Sequence, residues 1–293
     1  MQRISVWSDA LRIHQWSKNI IIFVPLILAH TYNDLSKILA AVLAFATVCL
    51  LASGTYIVND ILDIKADRKH PTKNKRPFAS RRISVASGIG AAAVIIAASL
   101  AAAFSISRPF AAVLLLYLAL TLLYSFVLRS LPLIDVFAIA VLFTLRIFMG
   151  AAVIDVEQSP WLLSFSLSFF LSLALAKRHG EIMLAAGNQK KIIARRGYVF
   201  SDWPLTLTFG VNAGLTSIVI MLLYLANEAA PSGYYKDLSW LYIIPGAITV
   251  WIMRIWLLAH RKSLHSDPVI FALKDFTSLA LGLLVVAAFY IAL

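Results

Sequence analysis

The chain has 293 residues, of which 61% are hydrophobic, and its formal net charge is +12. Its mean hydropathy of +0.84 excludes an ordinary water-soluble domain, because such domains are only about half apolar. The positive charge does not indicate nucleic-acid binding, because no recognisable nucleic-acid-binding module accompanies it. The composition therefore predicts an integral membrane protein in contact with a lipid bilayer, and the apolar stretches described next predict that it is all-α.

Apolar stretches long enough to cross a bilayer recur along the chain. A helix needs roughly 20 apolar residues to span the hydrocarbon, and nine segments are predicted to do so. They are 17–31, 35–62, 84–105, 109–128, 132–154, 160–180, 204–226, 238–259 and 269–292. The first is short and contains Pro25, so a kink or a tilt is expected there. The start of the chain is polar and basic, so no cleavable signal peptide is expected, and 1–293 is predicted to form one domain.

The distribution of Lys and Arg predicts the orientation. Eight of them lie between Lys65 and Arg82, and cytoplasmic loops are the ones that collect such cations. Nine spans place the termini on opposite sides, so the N-terminus is predicted inside and the C-terminus outside. The inner segments are then 1–18, 63–83, 129–131, 181–203 and 260–268. This predicts a multi-pass protein of the inner (plasma) membrane whose active site faces the cytoplasm.

Three aspartates mark the end of the second predicted span. Asp60, Asp63 and Asp67 are spaced i, i+3 and i+7 and so share one face of a helix. Carboxylates placed together in this way repel one another unless a cation neutralises them, and oxygen ligands of this type suit Mg²⁺. We therefore predict that all three bind magnesium and are catalytic. The alternative is a polar helix end followed by a solvated basic loop.

The basic residues that follow this motif are predicted to hold phosphate oxygens that the metal does not reach. They are Arg68, Lys73, Lys75 and Arg76.

Charged residues in or near other spans indicate a polar cavity, because such residues usually face the bundle interior. Arg146 lies in the fifth span and is predicted either to bind substrate phosphate or to pair with another helix. Lys177 and Glu181, at i and i+4, could form a simple ion pair or, with Arg178, line an anion site. Arg254 and the pair Lys274 and Asp275 are weaker candidates.

The run Asn59-Asp60-x-x-Asp63-x-x-x-Asp67 resembles the first aspartate-rich motif of the UbiA superfamily of intramembrane prenyltransferases. The resemblance implies a UbiA-like bundle of nine transmembrane helices, magnesium held by the aspartates, and ionisation at a carbon that carries pyrophosphate. Members that use a prenyl diphosphate mostly carry a second aspartate-rich motif after the sixth helix. At that place this sequence has Lys177, Arg178 and a single acid, Glu181.

That departure resembles the branch of the superfamily that contains decaprenyl-phosphate phosphoribosyltransferase. The likeness extends over the motif through Pro77, Tyr124-Ser125 and Gln15-Trp16-x-Lys18-Asn19, and covers roughly the first 200 residues. It implies transfer of 5-phosphoribose from phosphoribosyl pyrophosphate to a polyprenyl phosphate. The residues implied to bind substrate are Lys18, Asn59, Arg68, His70, Lys73, Lys75, Arg76, Tyr124, Arg146, Lys177, Arg178 and Glu181.

Some of these assignments have structural alternatives. Lys18 belongs to a Trp- and Lys-containing segment that could only anchor the chain at the interface. His70 precedes Pro71 and could only shape the loop.

Two other functions remain open. One is prenyl transfer from a polyprenyl diphosphate to an aromatic or other acceptor. A transporter is less well supported, because transporters have paired broken helices near the bilayer midplane, whereas the charge here gathers at the inner interface. Acceptor chain length and homo-oligomerisation are left open by the sequence.

Overall fold

A computed structural model describes residues 2–187, 196–264 and 267–293. Residues 188–195 and 265–266, which belong to two of the predicted inner segments, lie outside the described residues. The α-helices are α1 (Gln2–Leu11), α2 (Val24–Leu28), α3 (Leu35–Leu62), α4 (Ile64–Asp67), α5 (Val85–Ile106), α6 (Arg108–Phe126), α7 (Ile134–Val153), α8 (Pro160–Gly187), α9 (Trp203–Tyr224), α10 (Ile243–His260), α11 (Pro268–Ala272) and α12 (Phe276–Ala292).

Seven helical segments within the described ranges are long and apolar enough to cross a membrane. They are Leu35–Leu62, Val85–Ile106, Arg108–Phe126, Ile134–Val153, Pro160–Ala185, Phe200–Ala229 and Leu238–His260. Two apolar helical segments, Ile13–Leu28 and Phe276–Ala292, are shorter. The predicted all-helical, multi-pass membrane architecture is confirmed, while the count of nine spans and the orientation stay predictions.

The two shorter segments have local causes. Ile13–Phe23 is a 3₁₀ helix, and α2 begins next to it with Pro25 in its first turn, where a missing N–H is tolerated. The predicted span 269–292 is interrupted between α11 and α12. Asp275 lies at this interruption. Its carboxylate accepts a 2.9 Å hydrogen bond from the amide of Ser278 and so caps the N-terminus of α12.

The chain divides into two compact units. The first comprises Met1–Phe126 with Leu145–Glu157, and the second comprises Val127–Thr144 with Gln158–Leu293. In the first unit, α3 and α5 approach closely at Gly54, where a Cβ would lie 2.8 Å from Ile96. Ala10 of α1 and Phe78 of the basic loop between α4 and α5 pack in one apolar cluster with Ile57 of α3. This cluster holds the N-terminal helix and the basic loop against the end of α3.

In the second unit, hydrogen bonds tie three long helices together. The indole of Trp256 on α10 donates to the Ser172 hydroxyl of α8 at 3.0 Å, and Ser172 donates to the carbonyl of Gly210 on α9 at 2.7 Å. A Cβ at Gly210 would lie only 2.1 Å from the Trp256 ring, so only glycine allows this approach. The predicted span 160–180 continues to Gly187 as α8, which makes Lys177 and Glu181 helical residues.

Candidate active site

Asp60 and Asp67, both buried, converge on one guanidinium in the first unit. Nη1 of Arg76 lies 3.1 Å from Oδ1 of Asp60 and 2.8 Å from Oδ2 of Asp67. The helix breaks at Asp63, between α3 and α4. Amide hydrogen bonds nevertheless join Asp63 to Asn59 at 3.0 Å and Asp67 to Asp63 at 2.8 Å, so the helical path continues. The predicted shared face is confirmed for Asp60 and Asp67.

Arg12, which precedes the 3₁₀ segment, also donates to Oδ1 of Asp60. Its guanidinium lies 5.1 Å from the centre of the Tyr56 ring, and its backbone is left-handed, with a φ of 51°. This conformation is uncommon for a residue other than glycine, and it turns the chain after α1 back toward α3. The sequence alone does not distinguish Arg12, because one Arg in a basic N-terminal stretch has no distinctive pattern.

A polar cavity of about 320 Å³ opens beside these residues. Its lining comes from the N-terminal segment, the end of α3 and the basic loop. It consists of Asp9, Arg12, His14, Gln15, Asp60, Thr72, Lys75, Arg76, Pro77 and Arg82. Four Lys and Arg side chains thus face two carboxylates, which makes this cavity suited to a ligand with several negative charges.

The described residues contain no group of three His, Cys, Asp or Glu side chains placed to hold a metal ion. Magnesium does not need such a set, because it is commonly bound by one or two carboxylates together with water and substrate phosphate. Asp60 and Asp67, whose oxygens meet around one Arg76 nitrogen, fit that requirement. Asp63 is half-buried. The metal assignment stays a prediction.

The other loop candidates have contacts that shape the loop. Nε of Arg68 donates to the Ala79 carbonyl at 3.2 Å. Nδ1 of His70 lies 3.3 Å from the amide nitrogen of Thr72 and 3.4 Å from that of Lys73, as expected of a structural loop histidine. Lys75 and Arg76 line the cavity. The structure therefore brings part of the predicted basic set to the acidic pair.

Lys18, Asn59 and Tyr124 also belong to the first unit, where each is half-buried. Lys18 lies in the 3₁₀ segment, Asn59 in the last turn of α3 and Tyr124 near the end of α6. Their predicted role in substrate binding stays a prediction.

Arg146 is buried in the first unit. Its Nε donates to Oδ1 of Asn19 at 2.7 Å, and its Nη2 donates to the Tyr117 hydroxyl at 2.8 Å. The Asn19 amide in turn donates to the sulfur of Cys49 at 3.2 Å. These contacts connect α7 to α6, to the 3₁₀ segment and to α3, which favours the interhelical alternative for Arg146.

Arg178 belongs to a buried network in the second unit. Its Nη2 lies 2.6 Å from Oδ2 of Asp135, and its Nη1 donates to Glu181. The Tyr198 hydroxyl donates to Oδ1 of Asp135 at 2.7 Å and accepts from the amide of Leu133 at 2.8 Å. Burial raises the pKa of Tyr198 above its ordinary value, so the hydroxyl keeps its proton. With a side chain only 2% exposed, Arg178 holds other residues in place.

Lys177 differs from its neighbour, because its side chain is 41% exposed. The ion pair with Glu181 considered from the sequence is replaced by one with Asp267, at 3.3 Å. Such a partly exposed pair contributes little stability, so Lys177 can exchange Asp267 for an anionic ligand. Arg254 makes two hydrogen bonds to Asp275, at 2.6 and 2.9 Å, so this pair joins α10 to the start of α12.

The sequence profile of the UbiA prenyltransferase family matches residues 20–279. The chain is 49% identical to protein y4nM of Sinorhizobium fredii, over 98% of this chain and 56% of that protein, so it spans little more than half of y4nM. It is 32% identical to nodulation protein NoeC of Azorhizobium caulinodans, over 93% of this chain and 88% of NoeC.

Two further similarities concern enzyme type and fold. The chain is 33% identical to the decaprenyl-phosphate phosphoribosyltransferase of Corynebacterium glutamicum, over 72% of this chain and 64% of that enzyme. It superimposes with a TM-score of 0.72 and 14% identity on a UbiA homologue from Archaeoglobus fulgidus bound to DMAPP and Mg²⁺, over 98% of this chain and 97% of that one. At such low identity the superposition establishes the fold alone.

Proposed function

The chain belongs to the UbiA prenyltransferase family, and we propose that it transfers 5-phosphoribose from phosphoribosyl pyrophosphate to a polyprenyl phosphate. Pyrophosphate and a phosphoribosyl lipid are the products. The observation that carries this proposal is the charge of the cavity in the first unit. Arg12, Lys75, Arg76 and Arg82 line it beside Asp60, and the proposed donor carries both a pyrophosphate and a 5-phosphate.

Asp60 and Asp67 would hold magnesium there, which when bound supplies charge stabilisation to the departing pyrophosphate. Arg76, whose guanidinium contacts both carboxylates, and Arg12 would donate hydrogen bonds to the phosphate oxygens. Donors fixed in advance of the reaction stabilise developing charge without reorganising. The C1–oxygen bond to pyrophosphate breaks with its electron pair, and an oxygen of the lipid phosphate supplies the pair for the new bond to C1.

The second unit supplies cations where many family members are expected to have a second acidic motif. Lys177 is the exposed one and can contact an anion, whereas buried Arg178 positions Glu181 and Asp135. An acceptor that is already a phosphate monoester needs cations and little help from a general base. The excess of cations over carboxylates in this segment therefore supports a phosphate acceptor.

A second candidate is prenyl transfer from a polyprenyl diphosphate. The description of the family and the DMAPP bound to the A. fulgidus homologue favour it. Against it stands the charge of the α8 segment, because Lys177 and Arg178 accompany a single carboxylate there. For either reaction we place the site at the cytoplasmic face of the inner membrane, because the basic loop after α3 marks that side.

The test uses purified protein in lipid nanodiscs with labelled phosphoribosyl pyrophosphate, magnesium and a polyprenyl phosphate. We expect label in the lipid fraction and equimolar release of pyrophosphate, and neither when polyprenol replaces the phosphate. Donor that stays intact with every polyprenyl phosphate offered would overturn the proposal.

A further inference from the structure

An open apolar groove of about 350 Å³ runs between α9 and α10 in the second unit. Its walls are mostly aliphatic, and His260, the last residue of α10, closes one end. The apolar residues that form it include Leu207, Val211, Leu215, Ile252, Met253 and Leu257. From Thr249 to His260 the groove follows about 16 Å of helix, roughly half of the ~30 Å hydrocarbon thickness.

His260 does not stand alone at this end, because a second histidine contacts it from α8. Nδ1 of His260 lies 3.2 Å from Nε2 of His179, which is fully buried. Nδ1 of His179 lies 3.1 Å from the Thr206 hydroxyl, and this hydroxyl donates to the Trp203 carbonyl at 3.0 Å.

The Trp203 carbonyl can only accept a hydrogen bond, so it fixes the direction of every hydrogen bond in this series. Because the Thr206 hydroxyl gives its hydrogen to Trp203, it can only accept from His179, which therefore carries its proton on Nδ1. Nε2 of His179 is then an acceptor, so Nδ1 of His260 must be the donor. His260 is thereby held with Nε2 as the nitrogen available to a ligand.

Two cations follow the histidine at this end of the groove. Arg261 and Lys262 follow His260 directly in the sequence, where α10 ends. A long apolar groove that ends in an oriented imidazole and positive charge fits an amphiphile with a long hydrocarbon chain and an anionic head. Such a ligand would have its head near the interface and its chain along the helices.

We propose that this groove binds the polyprenyl phosphate acceptor, with its phosphate against His260 and its first isoprenoid units between α9 and α10. The proposal rests on the proposed function for the identity of the lipid. The remaining proton of the phosphate monoester lies between a phosphate oxygen and Nε2 of His260 in a charge-assisted hydrogen bond. His179 is a positioning residue that acts through His260.

The test is photolabelling of the full chain in nanodiscs of zwitterionic lipid, without any donor. The probe is a polyprenyl phosphate that carries a diazirine in its chain, compared with the matching diazirine polyprenol. Met253→Trp fills the groove, and Val250→Trp is its matched control, because Val250 is 53% exposed on the same helix and outside the groove lining. His260→Ala removes the head contact and leaves the groove open.

We expect the label on α9 and α10 peptides, with labelling reduced about tenfold or more by Met253→Trp and unchanged by Val250→Trp. His260→Ala should remove the preference for phosphate over polyprenol, about tenfold for a charge-assisted hydrogen bond, and should leave polyprenol labelling intact. His179→Leu should lower the same preference while His260 is still present.

Label confined to other helices, or equal labelling of the two tryptophan variants, would overturn the proposal. Competition by phosphatidylglycerol as strong as by polyprenyl phosphate would show a general anionic-lipid groove and would also overturn it. The result is independent of turnover. Labelling of the groove in a protein that ignores phosphoribosyl pyrophosphate would contradict only the proposed reaction, and turnover without groove labelling would contradict only this inference.

Discussion

Nε of Arg146 on α7 donates a 2.7 Å hydrogen bond to Oδ1 of Asn19, a residue 127 positions earlier in the chain. Both side chains are buried, and Asn19 is only 1% exposed. A guanidinium held in this way stabilises the first unit, because a buried amide and the Tyr117 hydroxyl depend on it for hydrogen bonding. Buried polar groups that lose a partner are costly.

Arg146→Leu should therefore reduce thermal stability and activity together. We expect a loss of about 1–3 kcal/mol in unfolding free energy, the usual cost of leaving buried polar groups unsatisfied. The measurement is a thermal melt in detergent beside the specific activity of the folded fraction. Arg108→Leu, at an exposed position at the start of α6, is the control. An unchanged melt with lost activity would restore the substrate-binding role predicted from the sequence.

Asp60→Asn, Asp63→Asn and Asp67→Asn should each remove most of the activity while the protein still folds. Asn keeps the shape of the side chain but loses the negative charge that a divalent cation needs. We expect turnover to fall about a hundredfold or more for Asp60 and Asp67, comparable with the loss of one preorganised charged contact. Turnover is measured at saturating magnesium, with Asp34→Asn as the matched control.

Chelation supplies the second half of that experiment. Excess chelator should abolish turnover by the unchanged protein, and added magnesium should restore it. Wild-type turnover by Asp63→Asn, or full activity in chelator, would remove the metal assignment.

The neighbours Lys177 and Arg178 should respond in opposite ways to loss of charge. Arg178→Met leaves Asp135 buried without its cation, which typically costs about 3–5 kcal/mol, so the melting temperature should fall sharply. Lys177→Met should leave the melt unchanged and raise KM for the polyprenyl phosphate. Equal thermal destabilisation by both changes would show that Lys177 also has only a structural role.

The thermal stability of the fold should depend on whether Asp34 is ionised. Hydrogen bonds from the Ser36 side chain and from the backbone of Lys37 lower the pKa of Asp34 below its ordinary value of 3.8. A lowered folded-state pKa means that the carboxylate stabilises the fold above the unfolded-state pKa and loses that effect as pH falls through the folded value. Asp34→Ala should therefore melt below wild type at neutral pH, and the two melting curves should converge in acid. A constant difference at every pH would contradict this, and Asp34→Asn, which keeps a capping oxygen, should show a smaller difference.

The sequence was sufficient where the controlling interactions are local. Apolar runs located the long spans, and the aspartate spacing placed Asp60 and Asp67 on one face. The break before α12 was missed, because a cap made by Asp275 and Ser278 looks like two polar residues within an apolar stretch.

Contacts between distant positions could not be predicted in the same way. Arg12 reaches Asp60 across 48 positions, and His179 reaches His260 across 81. The buried contact between Arg178 and Asp135 could not be predicted, because the segment around Arg178 contains no sign of a partner 43 positions earlier. Only the folded arrangement shows which of two adjacent cations is buried.

Competition between two donors decides whether the protein uses phosphoribosyl pyrophosphate. In one assay with magnesium, purified protein receives equal amounts of labelled phosphoribosyl pyrophosphate and farnesyl diphosphate, together with a polyprenyl phosphate and an aromatic acceptor. We expect phosphoribosyl pyrophosphate to be consumed only when the polyprenyl phosphate is present, with farnesyl diphosphate left intact. Turnover of farnesyl diphosphate onto the aromatic acceptor, with phosphoribosyl pyrophosphate left intact, would contradict the proposed phosphoribosyl transfer.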